Sequence, residues 1–372
     1  MESSLRKTVI MRIVFLIIGN VGRSGPLNGH NIRYGGSGCS GTESSIIYVA
    51  EYLSKVGYDV TISLEKCDTP NESNGVFYTN FNFDGQENKE FDYLVSALWF
   101  VDYNKLPIKV NKSLIYWYHL AWGYGYEEMV EYVKNNNLSM GVVSISEWAK
   151  KENDGYLPIL KSNDFNLIDT IIPNPVDGTL FDEVLINPPI RKKHKVIFHA
   201  QWSRGGEVAK RASTEMGWSD LEFKSFDYVN MIGGIDKKTL FNEIASSEYF
   251  IFPLLTHGKL IYQDTFSLSV AEAIGLGTTV LTYPLGGVPE NFGNYCHFIE
   301  YPDDTNMEEL SKLRVFEEPK FSQTDKIVSL INTLENNPQL KEEKRKEGIE
   351  YIKNTFDINK IGPMWIDFLN KL

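Results

Sequence analysis

The sequence predicts an α/β protein built from two Rossmann-like β/α/β units. Three observations support this prediction. The chain has 372 residues, which is long enough for two hydrophobic cores. Each half opens with a predicted strand, and the strand of the first half is continuously apolar, as expected for the buried centre of a parallel sheet. In each half, a glycine-containing loop follows that strand and leads into a helix.

In the first unit, the apolar strand Met11–Ile18 is followed by a long polar loop from Gly19 to Gly41. Ser40 and Glu43 have the spacing of a capping box, which predicts the start of a helix. The β-branched run Asp59–Leu64 then predicts the next strand. This β-loop-α-β order is the usual opening of a Rossmann-like unit.

In the second unit, the predicted strand Lys195–Ala200 leads into a glycine turn at Gly205 and Gly206 and then a helix. Tyr249–Leu255 and Thr278–Tyr283 predict two further strands with a short apolar helix between them. We expect residues 1–186 to form the first domain and residues 187–355 the second. The segment Gly178–His194, with its prolines and basic residues, is predicted to link them.

Composition and charge exclude several classes of function. Hydrophobic residues make up 42% and charged residues 23%, as in globular proteins. The net charge of −12 (37 basic against 49 acidic residues) argues against nucleic acid as a partner. The longest apolar run is far shorter than the roughly 20 residues of a membrane span, and no signal-peptide pattern is present. Three widely separated cysteines favour a reducing, cytoplasmic setting and disfavour a zinc site.

Two acids, Asp264 and Glu272, stand with seven residues between them. Asp264 lies in a polar segment just after a predicted strand, and Glu272 lies within an apolar helix. An acid on such a helix is costly to bury without a partner. It therefore points to solvent or meets a ligand that donates hydroxyl groups, and the pair could also be an ordinary solvated pair.

Two other polar residues occupy positions where α/β proteins bind ligands. Arg204 precedes Gly205 and Gly206 at a helix start, where a guanidinium and exposed N–H groups suit a diphosphate. The alternative for Arg204 is a surface charge. His119 stands at the carboxyl end of a predicted strand, which suits either a ligand contact or a core histidine.

The loop residues Gly36, Gly38 and Gly41 match the letters of the dinucleotide fingerprint G-x-G-x-x-G. That fingerprint requires its first glycine directly after a strand, and here 17 residues intervene. A flexible loop ahead of a capped helix is one alternative. Another is a loop whose N–H groups approach an anion.

The order of these motifs along nearly the whole chain resembles the retaining GT-B glycosyltransferases of family 4. Their signature is E-x(7)-E, with Asp264 here in place of the first glutamate. The matching segments are Gly35-Gly36, His119, Ser146-Glu147-Trp148, Pro173–Asp177, Arg204-Gly205-Gly206, Asp264 with Glu272, Gly286–Glu290 and the amphipathic helix at 356–372.

The resemblance implies two domains facing a cleft, with the helix at 356–372 crossing back onto the first domain. It implies transfer of a hexose or pentose from a UDP- or GDP-sugar to a glycan or other hydroxyl acceptor, with no metal or other cofactor. Glu272 would hold the ribose, and Asp264 and His119 would act on the transferred sugar. The resemblance further implies donor contacts from Gly35, Gly36, His199, Arg204, Thr265, Phe266 and Ser267.

The chain departs from the family pattern at two places. Asp264 is one methylene shorter than the expected glutamate. His199 and Arg204 stand where the family has an arginine and a lysine. Arg204 can replace the lysine, but His199 is a pH-dependent substitute, so Lys210 or Lys259 could supply the second cation.

These departures motivate a rival function, a catalytically inactive protein that binds sugar nucleotides or glycans. An NAD-dependent oxidoreductase is a third hypothesis, motivated by the G-x-G-x-x-G match.

Overall fold

The computed structural model describes residues 10–17, 27–36, 38–65, 67, 69–97, 101–119, 126–153, 160–161, 165–218, 223–225, 235–256, 260–261, 264–301 and 324–372. Within these ranges the chain forms two mainly parallel sheets with helices packed against them. The predicted α/β class with two Rossmann-like units is confirmed.

The first sheet carries its most apolar strands at its centre. Its strands are Arg12–Ile17 (β1), Asp59–Leu64 (β2), Asn71–Ser73 (β3), Val76–Asn80 (β4), Glu90–Ala97 (β5), Lys109–Tyr118 (β6), Ser139–Ser144 (β7) and Leu167–Ile171 (β8). Their order is β3-β4-β2-β1-β5-β6-β7-β8. All neighbours pair in parallel except the edge pair β3 and β4. β1 is buried from Ile13 and β5 from Tyr93 to the ends of the strands, as expected for the centre of a parallel sheet.

The second half forms a smaller parallel sheet and a two-stranded ribbon. The strands are Lys192–Phe198 (β9), Phe223–Ser225 (β10), Ser247–Phe252 (β11), Leu255–Thr256 (β12), Leu260–Ile261 (β13), Thr279–Thr282 (β14) and His297–Phe298 (β15). The sheet order is β10-β9-β11-β14-β15, and β12 pairs with β13 in the ribbon. β11 is buried along its whole length.

Helices connect the strands in both halves. They run over Gly29–Tyr34 (α1), Gly41–Lys55 (α2), Tyr126–Asn135 (α3), Glu147–Asn153 (α4), Gly178–Ile186 (α5), Gly206–Glu215 (α6), Lys237–Ala245 (α7), Leu268–Gly275 (α8), Val288–Phe292 (α9), Thr324–Asn336 (α10), Pro338–Phe356 (α11) and Ile358–Leu369 (α12). The predicted capping box is confirmed at α2. The Ser40 hydroxyl accepts from the Glu43 N–H, and the Glu43 carboxylate accepts from the Ser40 N–H at 2.6 Å.

The prediction of a continuous loop from Gly19 to Gly41 is wrong, because α1 lies within it. The side chain of Asn28 caps this helix by accepting from the N–H of Asn31 at 2.9 Å. Ile32 is fully buried and anchors the helix to the core. The loop residues 19–26 and 37 lie outside the described residues.

The segment Gly178–His194, which the sequence predicts to be the linker, is mostly regular structure, because α5 and the start of β9 occupy most of it. Asp177 caps α5 by accepting from the N–H of Leu180 at 3.0 Å. Phe181 is buried against Phe241 of α7, with ring centroids 5.0 Å apart. A buried apolar face therefore makes this segment helical. The domain boundary near residue 186 stays a prediction.

The last helix packs against the first sheet, as predicted. Trp365 of α12 is fully buried and meets Trp117 of β6 edge to face, with centroids 4.6 Å apart. The hydroxyl of Tyr93 donates to the carbonyl of Leu369 at 3.1 Å. The chain therefore returns from the second sheet to cover the first.

No α-helix in the described ranges is long and apolar enough to cross a membrane. The three cysteines all fall within those ranges, and none of them forms a disulfide bond there.

Candidate functional site

Asp264 and Arg204, 60 positions apart in sequence, form an ion pair. Arg204 Nη1 lies 3.3 Å from Asp264 Oδ2, and both side chains are largely buried. Arg204 ends a short 3-10 helix, and Gly205 then adopts a left-handed φ of 111° to start α6. Glycine suits this sharp turn because it has no Cβ. The two residues predicted to contact diphosphate and sugar are therefore neighbours.

The glycine turn after β14 holds the segment that carries Asp264. The N–H of Gly287 donates to the carbonyl of Asp264 at 2.8 Å. Gly286 has a φ of +61°, and a Cβ there would lie only 2.3 Å from that carbonyl oxygen. Any larger residue would displace Asp264. The motif Gly286–Glu290 therefore positions the acid through its backbone.

Glu272 is 3% exposed on α8 and forms a buried ion pair with Lys237, the first residue of α7. Burial raises the pKa of Glu272, and the ammonium of Lys237 opposes that shift. Burial also acts to lower the pKa of Lys237, but the Glu272 carboxylate, together with Cys39 and Asp177, raises that pKa above its ordinary value. Each side chain therefore supplies the opposite charge that favours ionisation of the other.

His119, at the end of β6, meets the Asp264 segment from the other half of the molecule. The Thr265 hydroxyl donates to the His119 carbonyl at 2.6 Å. The ring Nδ1 lies 3.3 Å from the Thr42 hydroxyl of α2. Burial lowers the pKa of His119 to about 3, so the ring is uncharged near neutral pH. Among the described residues, its buried Nε2 has no hydrogen-bond partner.

Two helix N-termini converge beside these residues. A Cβ on Gly41, the first residue of α2, would lie 3.3 Å from the Cβ of Leu268, the first residue of α8. Ser267 precedes α8 in a left-handed conformation (φ 70°) and does not cap the helix with its side chain. Helix N-termini carry partial positive charge. This edge of the molecule can therefore attract an anion.

Comparison with known proteins gives a structural match without a sequence match. No protein-family model and no curated protein sequence matches this chain. Sucrose-phosphate synthase from Thermosynechococcus elongatus superposes with a TM-score of 0.63 at 12% identity, over 97% of this chain and 98% of that chain. A glycosyltransferase from Rickettsia africae gives 0.60 at 12%, over 98% of each chain. HepE from Anabaena, solved with UDP and glucose, gives 0.58 at 12%, over 97% of this chain and 100% of that chain.

The fold is GT-B. Full-length coverage in both directions extends the match to the two sheets and the C-terminal helices together. The GT-B architecture expected from the motif order is thus confirmed. Membership of family 4 and the retaining mechanism stay predictions.

His199 does not provide positive charge to this GT-B site. Burial, and then the nearby Lys237, lower the pKa of His199 to about 3. Its Nε2–H donates to the carbonyl of Ser269 at 2.9 Å, and the Ser269 hydroxyl donates to the His199 carbonyl at 3.0 Å. His199 therefore fastens the end of β9 to α8 as a neutral side chain. A contact between His199 and the donor stays a prediction, and in such a contact the imidazole ring would be uncharged.

The three residues between Asp264 and α8 differ in what they offer a ligand. Phe266 is fully buried and packs on Phe292 and Phe356, so only its backbone is available. Thr265 is held at both its hydroxyl and its carbonyl, the latter by the Ser146 hydroxyl at 2.6 Å. The buried hydroxyl of Ser267 lacks a hydrogen-bond partner within the part of the chain that the structure describes. Ser267 is therefore the side chain in this segment best placed to contact a ligand.

The Gly35-Gly36 loop of the GT-B first half faces α7. The N–H of Gly36 lies 3.3 Å from a carboxylate oxygen of Asp236, which also caps α7. The loop therefore contacts the residue that directly precedes Lys237 in the sequence. It follows α1 rather than β1, so Gly36 lacks the position that the dinucleotide fingerprint requires.

Glu290 is engaged in a contact between the two halves. Its carboxylate accepts from the N–H groups of Glu147 and Trp148 at 2.7 and 2.9 Å, at the start of α4. A carboxylate is stabilised at a helix N-terminus. The Ser-Glu-Trp and Gly-Gly-Val-Pro-Glu motifs therefore contact each other, and this contact joins the two halves of the molecule.

Lys237 is the site residue that the sequence analysis missed. Its neighbours Asp236 and Lys238 give it the pattern of an ordinary capped, solvent-facing helix start. Of the lysines considered instead, Lys210 is exposed on α6, and Lys259 lies outside the described residues. No group of three acidic, histidine or cysteine side chains in the described ranges could hold a metal ion.

Proposed function

We propose that this protein is a retaining glycosyltransferase that moves a hexose or pentose from a UDP- or GDP-sugar to a glycan or other hydroxyl acceptor. One observation carries the proposal. In a GT-B fold, two buried acids are each paired with a cation, beside His119 from the opposite half. Buried charge pairs of this kind are costly and are commonly retained at functional sites.

Arg204 would bind the diphosphate of the donor, helped by the N-termini of α2 and α8. A diphosphate carries more negative charge than one carboxylate, so it would draw Arg204 away from Asp264. Asp264 would then be free to accept hydroxyl groups of the sugar. Donor binding would thereby convert an internal ion pair into two ligand contacts.

In the reaction, the bond between the anomeric carbon and the donor phosphate oxygen would break, and its electron pair would pass to the phosphate. Arg204 and the helix N-termini would stabilise that developing charge. The acceptor oxygen would bond to the anomeric carbon from the same face, and its proton would pass to the leaving phosphate. Asp264 and neutral His119 would orient the sugar. The positive charge at Arg204 supports a mechanism that needs no metal. We place the reaction in the cytoplasm as part of the same proposal.

The rival hypothesis is an inactive protein that binds sugar nucleotides or glycans. The replacements at Asp264 and His199 still favour considering it. Hydrolysis of the donor without acceptor would separate the two hypotheses, because a pure binding protein releases no sugar. Calorimetry with NAD tests the oxidoreductase hypothesis, for which we expect no binding.

The proposal is tested by a thermal-shift screen of UDP-, GDP- and ADP-sugars. A ligand that binds only the folded state raises the melting temperature. We expect one nucleotide family to stabilise the wild type and to lose its effect on Glu272→Gln. Glu248→Gln is the matched control, because Glu248 is another buried acid paired with a lysine, Lys341, at the far end of β11. No shift with any nucleotide sugar would overturn the proposal.

A further inference from the structure

The pairing of Lys237 with Glu272 has a chemical consequence for the donor site. Glu272 lies at 3% and Lys237 at 6% exposure, so neither charge is solvated by water. A carboxylate isolated in such a place takes up a proton near neutral pH. Lys237 supplies the opposite charge at hydrogen-bond distance from Glu272 Oε1. The ionisation state of Glu272 therefore depends on a residue from a different helix.

We propose that Lys237 is a positioning residue of the donor site, which keeps Glu272 ionised and fixes its orientation so that the carboxylate accepts the ribose hydroxyls of the nucleotide. This inference rests on the proposed function for the identity of the ligand. It goes beyond that function by assigning a role to Lys237. An ionised acceptor forms hydrogen bonds to hydroxyl groups that are roughly twice as strong as those of a neutral acid.

The surroundings support this role. Phe241, one turn along α7, packs under the ammonium, which lies 5.7 Å from the ring centroid. His199 faces the pair from β9 and is neutral, so it cannot replace Lys237. Cys39, from the loop before α2, and Asp177, before α5, both act to raise the pKa of Lys237. The ammonium thus stays charged.

Tyr48 of α2 and Arg33 of α1 complete the charged surroundings. The pKa of buried Tyr48 is raised first by burial and further by Asp177 and Glu272, so its hydroxyl stays neutral. Arg33 is paired with Asp177 and Glu51. Arg33 is therefore committed to other carboxylates and does not provide the charge that Glu272 needs.

The test is the pH dependence of nucleoside diphosphate affinity in Lys237→Met. The probes are uridine, guanosine and adenosine diphosphates, titrated by calorimetry between about pH 6.5 and pH 9, where buried glutamates without a partner titrate. We expect the variant to bind about tenfold to a hundredfold more weakly than wild type at the acid end. The deficit should shrink as pH rises, because Glu272 then ionises without Lys237.

Several controls isolate the effect. The ratio of variant to wild-type affinity removes the titration of the nucleotide itself. A Cys39→Ser background removes that thiol. Lys238→Met changes the adjacent lysine, which is exposed and paired with Glu183, and should leave the ratio at one throughout. Lys237→Arg retains the charge and should restore affinity at the acid end. A deficit equal at all pH values, or no deficit, would overturn the proposal.

A second measurement decides the inference without any nucleotide. Infrared difference spectra of Lys237→Met against Lys237→Met/Glu272→Gln should show the carbonyl band of one protonated carboxyl group. Wild type against Glu272→Gln should show only carboxylate. If wild type binds none of the three nucleotides, the proposed function fails while the infrared result still stands. If Glu272 is ionised in Lys237→Met at neutral pH, the role of Lys237 fails alone.

Discussion

The ammonium of Lys237 and the carboxylate of Glu272 form an ion pair that is almost completely removed from solvent. They belong to different helices, α7 and α8, of the same sheet-and-helix unit. Removing one partner leaves the other charge buried and unpaired, which is more costly than the pair itself is stabilising. The choice of substitution at this pair therefore decides what an experiment measures.

Glu272→Ala is expected to lower the free energy of unfolding by about 3–5 kcal/mol, because Lys237 would be left without its partner. The double variant Lys237→Met/Glu272→Gln should lose less than the sum of its two single substitutions. Urea unfolding of wild type, Lys237→Met, Glu272→Gln and the double variant gives this comparison. Additive losses would show that the two side chains are not coupled.

Substitutions at Arg204 and Asp264 should have different effects on the affinity for nucleoside diphosphates. Arg204→Met removes the cation and should weaken binding about tenfold or more, and slow transfer by about 10²–10³. Asp264→Asn removes a competitor for Arg204 and should retain or improve nucleoside diphosphate affinity while it abolishes transfer. Calorimetry and turnover measure the two effects.

Lys210→Met serves as the control for charge at the Arg204 position, because Lys210 is an exposed cation on α6. It should change affinity by no more than about twofold, as expected for a solvated charge. Weaker nucleoside diphosphate binding in Asp264→Asn would contradict the exchange of partners proposed for Arg204.

The buried histidines should make the protein sensitive to acid. The pKa of His199 is lowered to about 3 in the folded state, against an ordinary value of about 6.5. Below about pH 6.5 the unfolded chain binds a proton that the folded chain refuses, so stability present above that pH is lost as the pH falls towards about 3. His199→Gln should reduce the slope of the free energy of unfolding against pH by about 1.4 kcal/mol per pH unit.

The comparison is made by urea unfolding of wild type and His199→Gln at several pH values. His297 gives a second case, since its pKa is lowered to about 4 mainly by burial. His297→Gln should reduce the slope in the same direction but over a narrower range of pH. Equal slopes in all three proteins would show that these rings are protonated in the folded state.

Trp365 joins the two halves by carrying α12 onto the first sheet. Trp365→Ala should lower the free energy of unfolding by about 3–5 kcal/mol, because it opens a cavity against Trp117 and Phe15. Met364→Ala, at the adjacent exposed position, is the matched control and should cost little. A small effect of Trp365→Ala would mean that α12 does not depend on this contact.

The sequence was sufficient for the fold and for the residues with local signals. Unbroken apolar strands and the capping box at Ser40 and Glu43 mark elements by short-range rules that the structure obeys. The short helix α1 was missed because six residues carry too little periodicity to stand out from a polar loop. The helix α5 was not predicted because Pro188 and Pro189, at the end of that segment, indicate a loop more strongly than its apolar residues indicate a helix.

The partnerships within the candidate site could not be predicted, because they depend on distances between segments. Lys237 and Lys238 are adjacent residues of the same type, and no sequence pattern distinguishes them. Lys237 is nevertheless buried and paired with Glu272, whereas Lys238 is exposed and paired with Glu183. His199 occupies an expected cation position, but burial makes it neutral. Burial and pairing arise only when α7, α8 and β9 come together, so no local pattern encodes them.

Phosphorus NMR of donor turnover is the decisive measurement for sugar transfer from a nucleotide sugar. UDP- and GDP-sugars are incubated with wild type, Asp264→Asn, Glu272→Gln and the control Glu248→Gln. We expect wild type and Glu248→Gln to release the nucleoside diphosphate from one donor, whereas Asp264→Asn and Glu272→Gln should release little or none. Equal release by all four proteins, or none by wild type with any donor and a panel of glycan acceptors, would contradict this expectation.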